Sequence, residues 1–199
     1  YSSAIAYINE ILESMPYDKT LWLKKAEAFR LQGNIVESNR LLKRIHHIYP
    51  EDDVLKNNLL DYLYDEFRSK KKTAPLDEVA DLALYIVAED PKNEDVYMGL
   101  INRYLQTGDY ENALTYAEKA VYDMPDNITV IKKRNSILAH LNRFQEILSS
   151  LKELIAKSRN PALLQQEYHY YLEEAARYSE KSDHYYNYQM LFSRNPNDQ

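Results

Sequence analysis

The sequence predicts an all-α solenoid of stacked helix pairs. The first observation is a fixed spacing of prolines: 34 residues separate Pro16 from Pro50, and 34 separate Pro91 from Pro125. A period in this range is typical of repeats that bury their apolar faces against one another. The second is that Pro50 and Pro91 are 41 residues apart, so the repeat between them carries an insertion of about two helical turns. The third is composition, since 45% hydrophobic residues with few glycines and prolines suit a folded core.

Residues 94–127 show how one period divides into two helices. Tyr97, Leu100 and Tyr104 are spaced to line one face of the first helix. Gly108 supplies a left-handed turn residue, and Asp109 is suited to cap the second helix. Small residues in the second helix allow it to approach the first closely. The places concerned are occupied by Tyr110, Ala113, Ala117 and Ala120. Pro125 then ends the second helix.

This order of residue types resembles the tetratricopeptide repeat. The shared features are an aromatic at place four, leucine at seven, tyrosine at eleven, glycine at fifteen, alanine at twenty and twenty-seven, and proline at thirty-two. Ile101 at place eight and Ala117 at place twenty-four depart from the family pattern. The resemblance implies a right-handed superhelix of antiparallel pairs, each with a helix A followed by a helix B.

The same frame extends along the whole chain. Residues 19–52 form a second good copy, through Trp22, Ala26, Phe29, Gly33, Ile45 and Pro50, although Lys25 and Ser38 replace the usual leucine and alanine. Residues 128–160 form a weaker copy, because Arg134 and Asn135 stand at core places and Asn142 takes the turn place of glycine. Residues 53–93 hold the insertion, with a basic connector at 68–75. Residues 162–196 have lost most of the pattern.

Residues 1–16 match only helix B of a repeat. We therefore expect a single solenoid over 1–199 that is a fragment of a longer protein, because a free solenoid end usually has a capping helix.

Composition argues against several functions. The formal net charge is −6, which disfavours nucleic acid as a partner, and no apolar run is long enough to span a membrane. There is no cysteine, so disulfides, thiolate zinc sites and cysteine nucleophiles are excluded. No common catalytic or phosphate-binding signature occurs. We expect a protein that is not an enzyme and has no cofactor and no metal.

Four segments could hide other chemistry. The stretch 46–53, with two histidines and three carboxylates, could ligate a metal, but these charges also suit the helix ends where they lie. Asn127 begins a glycosylation-like triplet and also occupies a helix N-cap place, which we favour. The basic run 68–72 is either a solvated helix end or a contact for an acidic partner or a membrane surface. In the last unit, Tyr168, Tyr171 and Tyr188 fit core places, whereas Tyr170 and Tyr186 do not.

The resemblance also implies where a partner would bind. In tetratricopeptide proteins certain helix A places line a concave surface that holds a peptide or partner segment. On this sequence those places are occupied by Leu23, Glu27, Arg30, Asn57, Asn58, Asp61, Tyr64, Asp65, Met98, Gly99, Asn102, Gln106, Lys132, Lys133, Ser136 and His140. The set is acidic around Asp61 and Asp65 and basic around Lys132 and Lys133, which would orient a segment carrying both signs. Gly99 costs about 1 kcal/mol in a helix interior, so it either allows close approach of another chain or is a tolerated loss.

These features predict a protein-interaction scaffold that binds a protein or peptide in its concave groove. Two further readings stay open: a structural spacer, or an envelope-assembly or carbohydrate-associated repeat region of a bacterial outer-membrane protein. Leu23 and Glu27 replace the basic and amide pair that the family uses to clamp acidic chaperone tails, so we expect no binding of that type. Absent cysteine and abundant tyrosine favour the bacterial cell envelope over the cytoplasm.

Overall fold

The computed structural model describes the backbone of residues 1–194 and the side chains of residues 1–182. Within residues 1–194 the structure contains helices and turns and no strand, which confirms the predicted all-α class. No helix in this part of the chain combines the length and apolar character needed to cross a bilayer. The helices are α1 (Ser2–Ser14), α2 (Lys19–Leu31), α3 (Ile35–Ile48), α4 (Asp53–Lys70), α5 (Leu76–Glu89), α6 (Glu94–Gln106), α7 (Tyr110–Asp123), α8 (Ile128–His140), α9 (Phe144–Lys157) and α10 (Ala162–Arg194).

Short polar side chains set most of the helix starts. Each capping residue accepts a hydrogen bond from a backbone N–H two or three residues further on, which satisfies a donor that the helix leaves free. The residues that cap in this way are Asp18, Asn34, Asp52, Asn93, Asp109 and Asn127. The N-cap roles predicted for Asp109 and Asn127 are confirmed.

The turns inside three helix pairs use a left-handed residue. Gly33 has φ 85° and Gly108 has φ 76°, and Asn142 takes the same conformation at φ 59°. Glycine reaches this region without steric cost, and asparagine tolerates it better than most other residues. The predicted turn places are therefore confirmed, including the asparagine that replaces glycine.

The chain divides into two compact units, Tyr1–Asp90 and Pro91–Gln199. In the first unit α2 packs against α1 and α3, and α4 packs against α3 and α5. Its core includes Ala26, Ile45, Leu59 and Phe67, and Ser38 is fully buried at a place where the family has alanine. The single solenoid over 1–199 stays a prediction.

In the second unit α7 packs against both α6 and α8, and α9 packs against α8 and α10. Tyr97, Ala113, Ala117 and Ala120 are fully buried, so small side chains of α7 face α6 at close range. The Tyr97 hydroxyl donates a hydrogen bond to the Asp123 carboxylate. Burial, and then this bond, raise the pKa of Tyr97 well above its usual range.

The insertion lengthens a helix as well as a connection. α4 has 18 residues, against 13 in α2, and it continues through Arg68, Ser69 and Lys70 into the stretch predicted as a basic connector. The reason is local pairing, because Lys70 Nζ lies 2.7 Å from the Glu66 carboxylate one turn earlier. Residues 71–75 then lead into α5.

The last unit differs from a helix pair. Backbone residues 162–194 form one continuous helix, α10, where a repeat over 162–196 would have a turn. This segment contains no glycine or proline, and its one asparagine, Asn187, lies in its last third, so neither glycine nor asparagine stands near the place where a helix A would end in a left-handed turn.

Candidate partner-binding surfaces

The first candidate surface lies on α2 and α4 and is called the α2–α4 surface. It consists of Leu23, Glu27, Arg30, Asn57, Asn58, Asp61, Tyr64 and Asp65, all of them exposed or half-buried. Arg30 joins the two helices, because its guanidinium lies 3.7 Å from the Asp65 carboxylate and 3.7 Å from the centre of the Tyr62 ring. The structure thus brings together side chains that the sequence separates by about one repeat.

The second candidate surface lies on α6 and α8 and is called the α6–α8 surface. It consists of Met98, Gly99, Asn102, Gln106, Lys132, Lys133, Ser136 and His140, and none of these residues is buried. Lys133 Nζ donates a 2.9 Å hydrogen bond to Asn102 Oδ1, which links the two helices. Lys132 Nζ lies 3.7 Å from the nearly buried Glu167 carboxylate on α10, and the His140 ring stacks on Tyr110 at 4.0 Å.

The two surfaces carry different charge. The α2–α4 surface presents three carboxylates, Glu27, Asp61 and Asp65, against the single guanidinium of Arg30. The α6–α8 surface presents Lys132 and Lys133, and its own eight residues include no carboxylate. The close approach that Gly99 is predicted to allow stays a prediction, although this residue is half-exposed in the middle of α6.

The histidines and carboxylates at 46–53 take part in ion pairs and helix capping. His46 is buried in the last turn of α3, with Nε2 3.5 Å from Glu89 Oε2, and Lys56 Nζ lies 3.1 Å from the same oxygen. The hydrogen bond from Lys56 lowers the pKa of Glu89. Asp52 caps α4 and also pairs with Lys19. Residues 1–182 contain no group of three or more side chains placed to hold a metal ion.

The basic run at 68–72 takes part in ion pairs with neighbouring carboxylates. Lys70 is held by Glu66 and Glu78, which places part of the basic run in an ion-pair network.

In α10 Tyr171 is buried, and this burial raises its pKa to about 12. Tyr170 is exposed, as its place predicts, and Tyr168 is half-buried. Tyr186 and Tyr188 lie outside the residues with described side chains.

Two features were not predicted from the sequence. Arg134 is buried, and its guanidinium donates hydrogen bonds to Asn135 Oδ1 and Ser150 Oγ. Burial lowers the pKa of Arg134. The second feature is an apolar cleft beside Trp22, for which the sequence offered one signal, Lys25 at a place where the repeat normally has leucine.

Equivalent contacts recur at the repeat spacing in both units. The Lys19 side chain binds the Asp52 carboxylate 33 residues later, and the Asn127 amide donates a 2.7 Å hydrogen bond to Glu94, also 33 residues away. Each contact joins the first residue of one repeat to the N-cap of the next. With the left-handed turns and small core residues described above, these contacts decide the architecture. The chain has a tetratricopeptide-type fold.

Solved tetratricopeptide proteins are among the structures that resemble the chain. A structure of MamA AMB-1 is 21% identical, with 87% of this chain and 91% of that chain covered and a TM-score of 0.42. A tetratricopeptide repeat protein from Parabacteroides merdae ATCC 43184 is 19% identical, covering 89% and 66%, with a TM-score of 0.38. A chain of Naa15/Naa10 bound to HypK-THB is 17% identical, covering 98% and 29%, with a TM-score of 0.46.

No family model and no curated protein matches the sequence. Because the identities and TM-scores of the similar structures are low, the assignment of the tetratricopeptide-type fold rests on the repeat geometry of the chain itself.

Proposed function

We propose that the chain is a non-catalytic protein-interaction scaffold that holds a peptide or extended partner segment on its helix A surfaces. The observation that carries this proposal is the position of the sixteen residues of the α2–α4 and α6–α8 surfaces. None is buried, whereas core residues of the same helices, such as Leu59, Leu100 and Ile131, are. A surface that is polar, contiguous across neighbouring helices and not used in the core is available to a partner.

Both surfaces are supported by contacts between helices before any partner arrives. Arg30 is fixed between Asp65 and the Tyr62 ring on the α2–α4 surface, and Lys133 is fixed by Asn102 on the α6–α8 surface. Side chains that are already ordered lose less conformational entropy on binding. The mechanism is therefore static display of preformed contacts.

Charge gives each surface a preferred kind of segment. The α2–α4 surface suits a basic stretch, because carboxylates outnumber its one guanidinium. The α6–α8 surface suits an acidic stretch, because Lys132 and Lys133 are its charged groups and a partner carboxylate can compete for them with Glu167 and Asn102. Complementary charge of this kind contributes to specificity and association rate more than to affinity.

Affinity capture with matched variants tests the proposal. The parent chain, the surface variant Lys132→Glu with Lys133→Glu, and the control variant Lys119→Glu with Lys157→Glu are used to capture proteins from the source cell's lysate. Both variants change charge by the same amount, but Lys119 and Lys157 are exposed on the helix B elements α7 and α9. Captured proteins are identified by mass spectrometry, and the affinity of the purified partner is then measured.

We expect one partner to bind the parent and the control variant and to lose at least tenfold in affinity for the surface variant. That loss corresponds to about 1.4 kcal/mol, a typical cost for removing a charged contact and introducing repulsion. Equal loss in both variants would assign the effect to net charge. Equal binding by all three would refute a role for the α6–α8 surface.

A further inference from the structure

An apolar cleft lies beside Trp22, within the first unit and apart from the α2–α4 surface. Its volume is about 230 Å³, and it opens where the turn after α1 meets the C-terminal half of α3. Tyr17 is 83% exposed and Ile48 is 57% exposed, so two large apolar side chains face solvent at its rim. The lining residues are Pro16, Tyr17, Trp22, Leu41, Arg44, Ile45, Ile48 and Tyr49.

Trp22 is fixed in place, and two cations flank it. Its indole N–H donates a 2.8 Å hydrogen bond to the Pro16 carbonyl, which sets the orientation of the ring. Lys25 Nζ lies 4.9 Å from the ring centre, and the Arg44 guanidinium carbon lies 6.0 Å from it. Both distances are within the range in which a cation is attracted by an aromatic face.

These two cations have no carboxylate within ion-pair distance among the described residues. By contrast, Lys19 at the start of α2 pairs with Asp52, and Arg40 on α3 pairs with Glu37 at 2.7 Å. Burial lowers the pKa of Lys25, and the charge of Arg44 lowers it further, whereas the charge of Glu37, which pairs with Arg40, raises it by a smaller amount. Lys25 and Arg44 are therefore close enough to repel each other. An anion placed between them would relieve this repulsion.

From this arrangement we infer that the cleft binds an acidic protein segment with a large apolar side chain next to its carboxylates. The apolar side chain enters the space between Trp22 and Ile48, and the carboxylates bind Lys25 and Arg44. The volume is smaller than the range of roughly 300–1,000 Å³ that holds a whole small ligand, and it suits one or two side chains of a peptide. Exposed aromatic and arginine side chains are also the residue types that dominate protein interfaces.

This site is distinct from the proposed helix A surfaces. Leu23 and Glu27 are spaced to share one face of α2, whereas Trp22 and Lys25 share another. A scaffold with both sites can hold two partner segments at once, and one site can fail without the other.

The single tryptophan of the chain makes a direct test possible. The probe is the fluorescein-labelled peptide Glu-Asp-Phe-Glu-Asp-Leu with a blocked C-terminus, and its matched control is Gln-Asn-Phe-Gln-Asn-Leu. Anisotropy of the label gives the dissociation constant, and Trp22 emission reports whether binding occurs at the cleft. The 199-residue chain is compared with the variant Lys25→Gln with Arg44→Gln and with the control Lys24→Gln, which removes an exposed cation from the preceding position of α2.

We expect the acidic peptide to bind the parent chain with a shift in Trp22 emission and to bind at least tenfold more tightly than the amide peptide. The double variant should lose at least tenfold in affinity, and Lys24→Gln should stay within about twofold of the parent, since hydrogen bonds between charged groups carry the difference. The comparison of the two peptides uses the unaltered chain, so it holds even if the double variant folds poorly.

The inference is overturned if neither peptide binds at millimolar concentration, or if both bind equally. It is also overturned if Lys24→Gln loses as much affinity as the double variant. Preferential binding to phosphatidylserine vesicles over the acidic peptide would assign the cleft to a lipid surface instead. Self-association in sedimentation experiments that the acidic peptide does not displace would assign it to a second copy of the chain.

Discussion

Replacing Tyr97 with phenylalanine removes one hydroxyl from the centre of the α6–α7 pair and leaves the ring in place. Tyr97 is fully buried, and its hydroxyl donates to the Asp123 carboxylate on α7. The substitution creates no cavity, so its effect isolates the bond that joins the end of helix B to the start of helix A. We expect the variant to fold and to be less stable than the parent.

The magnitude follows from the surroundings of Asp123. A hydrogen bond to a charged group is worth about 1.5–3 kcal/mol. Asp123 is half-exposed, so water can replace part of what the tyrosine supplied. The lower end of the range applies, and we expect a loss of about 1.5 kcal/mol in the free energy of unfolding at pH 7.

The same hydrogen bond makes the stability of the parent depend on pH in the alkaline range. The pKa of Tyr97 is raised in the folded state by burial and by Asp123, so its stabilising contribution is complete at neutral pH and is lost as pH rises. In the unfolded chain tyrosine ionises near pH 10. At pH 10.5 this ionisation stabilises the unfolded parent by about 0.8 kcal/mol, a term that the phenylalanine variant lacks. The difference in the free energy of unfolding between the parent and Tyr97→Phe should therefore be smaller at pH 10.5 than at pH 7 by about that amount.

Urea unfolding followed by circular dichroism at 222 nm measures both effects, at pH 7 and at pH 10.5. Tyr122→Phe is the matched control, because Tyr122 lies on α7 and is exposed. A Tyr97→Phe variant as stable as the parent, or no more affected than the control, would refute the assigned bond. A difference that grows with pH would refute the sign of the shifted pKa.

Three further predictions concern the turns, the packing and the repeat contacts. Gly108→Ala should cost about 1–2 kcal/mol in urea unfolding, because the turn needs a left-handed residue, whereas Asn142→Gly should be neutral within about 0.5 kcal/mol; equal effects would contradict the φ values. Ala117→Leu should cost about 1–3 kcal/mol by overpacking the buried contact between α7 and its neighbours, and a neutral result would mean that the helices do not approach closely there. Asp52→Asn keeps a capping acceptor but removes the charge pair with Lys19, and this pair lowers the pKa of Asp52 in the folded parent. The variant should be less stable than the parent at pH 7, and thermal unfolding should show this difference in stability beginning to fall below about pH 4 and ending once the pH is below the lowered pKa of Asp52. A difference in stability that is the same at pH 3 as at pH 7 would contradict the role of the charge.

The features that local chemistry determines were predictable from the sequence. Glycine at 33 and 108 and asparagine at 142 mark turns because few residues adopt positive φ, and the structure has positive φ at all three. Asp109 and Asn127 mark helix starts because their side chains replace missing backbone partners. The spacing of such residues then gives the repeat period, and with it the fold.

The features that depend on contacts across helices were not predictable in the same way. Arg134 stands where the repeat has leucine, and only the structure shows that Ser150 on α9 and the adjacent Asn135 accept its hydrogen bonds. The cleft beside Trp22 combines the turn after α1 with the far end of α3, so no single helix reveals it. For α10 the sequence predicted a repeat, which would have a turn between two helices. The repeat pattern is weak there, and the backbone continues as one helix.

Site-specific photo-cross-linking in the source cell tests the proposed scaffold function most directly. A photoreactive benzoylphenylalanine replaces Ser136, which is exposed on the α6–α8 surface, or Lys119, which is exposed on α7. The proposed function predicts a cross-linked adduct to one identified protein from position 136 and none to that protein from position 119. An adduct to that protein from position 119 alone, or no adduct from position 136, would contradict it.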